Sequence, residues 1–109
     1  MRSINTTEER IELQLQNKGL AGPRLTPDMI DTCIIDTLYW QPEGTTLTVC
    51  VHVLKNGFTV TGESACASVD QFDAAIGRTI ACENARQKIW QLEGYLLREK
   101  LNQIAISQI

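Results

Sequence analysis

His52 is the only imidazole in this 109-residue chain, and Cys50 stands two residues before it. On a strand that spacing puts both side chains on one face, where a thiolate and an imidazole could act as a nucleophilic pair. Their Cα atoms would be about 7 Å apart, however, which is long for a direct hydrogen bond, so a cross-strand polar role suits His52 better. Glu63, Asp70 and Asp73 could be read as ligands for a hard metal, but capping and surface roles account for them equally well. The four cysteines, Cys33, Cys50, Cys66 and Cys82, form no CxxC pair and have one histidine to join them. Free thiols buried as small apolar groups are therefore expected, with no metal, disulfide or cofactor. The phosphate-cradling GxxxxGK(S/T) loop, GxGxxG, GxSxG and HExxH are all absent, and no catalytic residue is expected.

A binding strip is easier to motivate. Asn84, Lys88 and Arg98 recur at helical spacing with Gln87, Gln91, Tyr95 and Glu99 on one polar sector of a long C-terminal run, and Phe72 stands near its start. An aromatic face can stack on a base, an amide can read a base edge or a ribose, and two cations can pair with phosphates. Each residue also has a plain structural role, Phe72 in the core and Lys88 and Arg98 in solvent. Along one helix Phe72 and Arg98 would lie about 39 Å apart at 1.5 Å per residue, so a pocket that uses both needs two subunits.

The elements that must position these groups are a hairpin and the helix after it. LTVCVHVL and FTVTG are β-branched runs joined by Asn56-Gly57, the dipeptide suited to a two-residue type I′ turn. That loop sets Lys55 opposite Phe58, Val53 opposite Val60 and Val51 opposite Gly62. Leu47, Val49, Val51, Val53, Phe58 and Val60 then share the core face, leaving Thr48, Cys50, His52 and Leu54 on the other. Ser68 is the expected N-cap of a proline-free run of good helix formers reaching Asn102. On a wheel, Phe72, Ile76, Trp90, Leu97 and Leu101 fall near one line, and Ala75, Cys82, Ala85, Ile89, Leu92 and Leu96 widen it. Such a helix is either broken at Gly77 or Gly94 or projects to be covered by another subunit. Upstream, Thr6 to Gly19 suggests a short helix, Thr26-Pro27-Asp28 opens one helical turn, and CIIDTLYW reads as a strand. The expected fold is α+β: a small three-stranded antiparallel sheet with a central Asn-Gly hairpin, a long C-terminal helix and a short N-terminal one, in one domain spanning 1–109.

Composition agrees with an ordinary globule, at 43% hydrophobic and 21% charged residues. No continuous apolar run exceeds about eight residues, so no membrane span is expected. MRSINTTEER lacks the apolar core of a signal peptide, which points to the cytoplasm. The net charge of −3 is unevenly spread, with a C-terminal run that is locally basic on an acidic body. That pattern disfavours binding along a nucleic acid and leaves room for a small anionic ligand.

From the NGF turn through GES, FD…IGR and the A-EN-A run to IWQLEGYLL, roughly Thr45 to Leu101, the chain closely resembles a family of small tailed-phage and prophage proteins. Members of that family look like the Thoeris anti-defence proteins. The resemblance implies a protein of the host bacterial cytoplasm that sequesters a cyclic nucleotide signal, glycocyclic ADP-ribose, without degrading it. It also implies cyclic trinucleotides of the CBASS system at a second site in some members, and a homo-oligomer of dimers built into hexamers with interfacial pockets. Phe72, Asn84, Lys88 and Arg98 are then the expected ligand-binding residues, chosen by their chemistry within the matching block. The competing reading is a non-catalytic interaction module that docks on a host protein.

Overall fold

The computed structural model describes residues 6–108, so the reading of the first residues as free of a leader lies partly outside it. Two short helices, α1 (Thr7–Asn17) and α2 (Pro27–Cys33), precede three strands, β1 (Ile34–Trp40), β2 (Leu47–Leu54) and β3 (Thr59–Ala65). A 3-10 turn over Val69–Gln71 leads into α3 (Ala74–Ser107). The sheet is an antiparallel meander in the order β1-β2-β3, and the fold is the α+β arrangement expected.

Local capping chemistry sets the helix starts. Thr6 Oγ1 accepts from the Glu9 amide at 3.2 Å, and Glu8 and Glu9 place negative charge at the positive end of α1. Thr26 Oγ1 does the same for Met29 at 3.2 Å, with Pro27 in the first turn of α2. The helix α2 runs seven residues, longer than the single turn expected. Ser68 makes no side-chain cap bond and precedes only the 3-10 turn. Asp73 caps α3 instead, its Oδ1 accepting from the Ile76 amide at 3.0 Å.

The Asn56-Gly57 turn differs from expectation by one residue, and that residue changes which face is buried. Gly57 has φ 88°, and among the described residues no residue other than glycine has a positive φ, so Asn56 does not meet the type I′ requirement. Gly57 N donates to Leu54 O at 2.8 Å and Leu54 N to Phe58 O at 2.8 Å, which closes a three-residue loop. His52 therefore pairs with Val60 and Cys50 with Gly62. A one-residue slip turns every side chain of a strand over. Thr48, Cys50, His52 and Leu54 are buried against α3, while Leu47, Val49, Val51 and Val53 are only half-buried on the opposite face. Val60 is buried as expected, but Phe58 is exposed.

The helix explains why the less apolar face wins. Its buried line is Gly77, Ala81, Ala85 and Ile89, at i, i+4 spacing, whereas the bulkier Ile76, Leu92 and Leu96 of the expected stripe are exposed. Small side chains let α3 approach until Gly62 lies against its backbone; a Cβ there would run into the Ala81 carbonyl and the Ala85 amide. Thr, Cys and Gly fit so close a crossing, and a row of valines does not. Ile30, Cys50, Leu54, Val60, Ala81, Ala85 and Ile89 form the core.

Among the described residues, two apolar surfaces are left uncovered. On the far side of the sheet, Leu38 and Trp40 pair with Val51 and Val49 and are more than half exposed, at 52% and 62%. α3 runs unbroken through Gly77 and Gly94 for 34 residues, and past Ile89 it leaves the sheet with Leu92, Leu96, Ile104 and Ile106 exposed. The radius of gyration is accordingly 17.1 Å, against about 13 Å for a compact domain of this size.

The helix α1 buries no residue, and charge holds it in place. Arg86 Nε meets both Glu8 carboxylate oxygens at 2.6 and 2.7 Å, and its Nη1 meets Asp31 Oδ1 at 2.6 Å. Trp90 Nε1 donates to Glu8 Oε1 at 3.1 Å. Arg24 grips Glu12 with two bonds of 2.6 and 2.7 Å, which holds the Glu12 carboxyl below the usual carboxylate range.

Candidate functional site

Where α3 leaves the sheet, it forms an open groove with β3 and the hairpin loop. One part, about 460 Å³, is lined by Phe58, Thr59, Thr61, Lys88, Gln91 and Tyr95. The adjoining part, about 370 Å³, is lined by Lys55, Asn56, Glu93 and Leu96 and shares Phe58, Leu92 and Tyr95 with the first. Both volumes are in the range of small-molecule sites. Two exposed rings, Phe58 and Tyr95, offer stacking faces, and the Lys55 and Lys88 ammonium groups offer partners for anions. A second cleft, between α1 and α2, is lined by Glu9, Glu12 and Asp28, whose charges oppose an anionic ligand.

Of the four residues expected to bind, the groove contains one, Lys88. Asn84 carries a structural bond, its Nδ2 donating to Glu63 O at 2.8 Å. Phe72 is half-buried near Gly77, at the other end of the sheet contact. Arg98 is exposed on the projecting part of α3, about 15 Å beyond Lys88 along the helix axis. Lys55 and Phe58 escaped the sequence reading because that reading placed Phe58 in the core; the three-residue loop turns it outward.

A second cluster lies under α3. Cys50 Sγ is 3.1 Å from Cys82 Sγ and 3.9 Å from His52 Nε2. Thr37 Oγ1 lies 2.9 Å from His52 Nδ1, and Tyr39 Oη 3.1 Å from Cys82 Sγ. Arg78 sits over the Tyr39 ring, 5.5 Å from its centroid. Burial, then the Cys82 thiol, push the Cys50 thiol well above its ordinary pKa. A protonated, buried thiol is the reverse of what a Cys50–His52 nucleophile needs. Burial lowers the His52 pKa, a backbone contact with Cys82 partly offsets that, and the Arg86 charge adds to it. The neutral ring is thereby favoured. Cys82 went unnoticed as a member of this cluster because it comes from another element.

The model of the Phage protein (N4 Gp49/phage Sf6 gene 66) family matches residues 25–101, well over half the chain. The matched stretch covers α2, the sheet, the groove and most of α3, and omits α1. No curated protein and no solved structure matches the chain.

Proposed function

Since the chain belongs to the Phage protein (N4 Gp49/phage Sf6 gene 66) family, we propose that it is an anti-defence protein that binds and sequesters a cyclic nucleotide immune signal without cleaving it. Glycocyclic ADP-ribose is the first candidate ligand and cyclic trinucleotides the second, in keeping with the sequence resemblance. The observation that carries the reading is the groove itself, which sets the Phe58 and Tyr95 rings beside the Lys55 and Lys88 ammonium groups. A base needs a π-face and a pyrophosphate needs local cations. In this proposal Lys88 pairs with the ligand's phosphates, and Arg98, on the projecting helix, is available to complete a groove on a neighbouring copy.

The assembly in this proposal is a homo-oligomer, with dimers built into hexamers. Support comes from the open sheet face around Leu38, Trp40, Val49 and Val51 and from the uncovered end of α3. The same sheet face supports a second reading, a module that docks on a host protein.

Calorimetric titration with glycocyclic ADP-ribose and with a cyclic trinucleotide, followed by heat denaturation and chromatography of the released ligand, separates these readings. Sequestration predicts saturable binding and recovery of the ligand intact. Ligand returned in altered form would mean an enzyme, and no heat of binding with either nucleotide would leave the interaction module.

A further inference from the structure

Cys50, His52 and Cys82 bring three donor atoms, two sulfurs and a nitrogen, within 4.8 Å of one another. Nothing in the nucleotide groove uses them. Cys50 is fully buried, His52 is 5% exposed, and Cys82 is half-buried toward the β1 edge of the helix. A tetrahedral zinc ion has bonds of about 2.3 Å to sulfur and 2.0 Å to nitrogen, which sets two sulfurs about 3.8 Å apart and a sulfur and a nitrogen about 3.5 Å apart. To hold the ion, the sulfurs, 3.1 Å apart, would open by about 0.7 Å. His52 Nε2, 3.9 Å from Cys50 Sγ in a cluster whose donors lie within 4.8 Å of one another, would draw in toward them.

The surroundings have the features of a ligand sphere. The Thr37 hydroxyl at His52 Nδ1 orients the ring with Nε2 on the sulfur side, the kind of outer contact that metal-bound histidines use. Tyr39 Oη, 3.1 Å from Cys82 Sγ, places a hydroxyl beside the cluster. The donors come from two elements already locked together by the Gly62 contact with α3. Neutral imidazole and thiolate sulfur together select soft or borderline closed-shell cations over calcium or magnesium.

We propose that Cys50, His52 and Cys82 form a binding site for a thiophilic closed-shell cation, Zn²⁺ or Cu⁺, that pins β2 to α3. Each thiol gives up its proton as its sulfur bonds the ion, so one Zn²⁺ bound releases two protons and no electrons are transferred.

The test uses the full chain, reduced and freed of metal. Co²⁺ is the spectroscopic probe for the zinc geometry, and Zn²⁺ and Cu⁺ are titrated separately against chromophoric chelators. The expected result is one ion per chain, with thiolate-to-cobalt charge-transfer absorption, tetrahedral d–d bands and a raised melting temperature. Replacing both Cys33 and Cys66 by Ser should leave the bands unchanged, whereas Cys82→Ser, at a half-buried position that tolerates the change, should abolish them. Thr37→Val should weaken Zn²⁺ binding by about tenfold or more if the hydroxyl positions His52. Tight Zn²⁺ binding with the cobalt signature selects zinc, and tight Cu⁺ binding without it selects copper. The proposal is overturned if neither ion binds, if Cys82→Ser binds as tightly as the parent, or if Cys50 and Cys82 oxidise to a disulfide in air equally fast with and without stoichiometric Zn²⁺.

Discussion

The side-chain amide of Asn84 donates to the main-chain carbonyl of Glu63 at 2.8 Å, tying the middle of α3 to the outer strand of the sheet. Among the described residues that carbonyl belongs to an edge strand, with no further strand to pair with. Asn84→Ala should therefore lower stability by about 1 kcal/mol, the usual net value of such a bond. Thermal denaturation measures the loss. Nucleotide capture at saturating ligand should survive the substitution, because Asn84 is outside the groove; its abolition in a variant that stays folded would assign Asn84 to the ligand.

Gly62 is the contact that brings sheet and helix together. A methyl group there would meet main-chain atoms of Ala81, Asn84 and Ala85, none of which can rotate away. Gly62→Ala should cost about 3 kcal/mol or more, at the upper end of overpacking penalties, because α3 would have to lift along its whole contact. Chemical denaturation measures this. Gly57→Val strains only the loop, where φ is 88° and the space is open, and should cost about 1 kcal/mol.

Arg86 joins α1, α2 and α3 through Glu8, Asp31 and the Pro27 carbonyl. Since α1 buries no residue, its attachment rests largely on this charge network and on the Arg24–Glu12 pair. Arg86→Met leaves Glu8 facing Trp90 alone, and α1 should lose amide-exchange protection while β2 keeps its own. Breaking a partly buried network of this kind costs about 3 kcal/mol when one partner is removed. Uniform loss of protection across the fold would show that α1 is integral to it.

These features were unevenly legible in the sequence. Helix starts at Thr6 and Thr26 could be read because a cap is a local matter of three residues. The register could not, because Asn-Gly serves both a two-residue and a three-residue loop, and one residue decides which side of β2 is buried. The spacing of Gly62, Gly77, Ala81 and Ala85 holds the answer: a helix that close selects Thr48 and Cys50 beneath it, not Val49 and Val51. Hydrophobicity ranking alone points the wrong way. The groove followed the same error, since Phe58 was assigned to the core, and the thiol cluster needed Cys82 from a helix 32 residues from Cys50.

His52 gives stability a pH dependence of definite sign. Burial holds its folded pKa below the ordinary imidazole value of 6.5, so between the two values the unfolded chain binds a proton that the folded chain refuses. Stability then rises with pH across that window; the contribution is complete above about 6.5 and is lost as pH falls toward the folded value. The groups facing the ring are Thr37, Cys50, Cys82 and the Arg86 charge. None is a carboxylate that would reverse the sign. In the presence of a chelator the melting temperature should fall between about pH 7.5 and 5.5, and His52→Gln should flatten the slope whatever it does to the absolute value. An equal slope in His52→Gln would show that another group carries the dependence.

The open sheet face carries the last prediction. Val51 sits at its centre, paired with Leu38 on one side and Thr61 on the other, and Trp40 with Val49 extends the apolar row. Among the described residues no helix lies over these, whereas the opposite face of the same strand is buried. A two-sided strand with its more apolar side only half-buried is best satisfied by a second sheet packed face to face at about 10 Å. If two copies meet there, Val51→Lys places an ammonium group in the dry centre of a symmetric contact, where it meets its own copy as well as the missing solvent. The variant should run as a folded species of lower mass than the parent in light scattering, down to the monomer if this is the one contact, with unchanged circular dichroism, because the position does not face α3. The groove lies on the β3 side, so a monomer that still captures nucleotide would place the whole ligand site within one chain. Loss of capture together with assembly would assign part of it, Arg98 first, to a neighbouring copy. An oligomer of unaltered mass in Val51→Lys would move the interface to the projecting end of α3, where Leu96→Lys and Ile104→Lys are the corresponding substitutions.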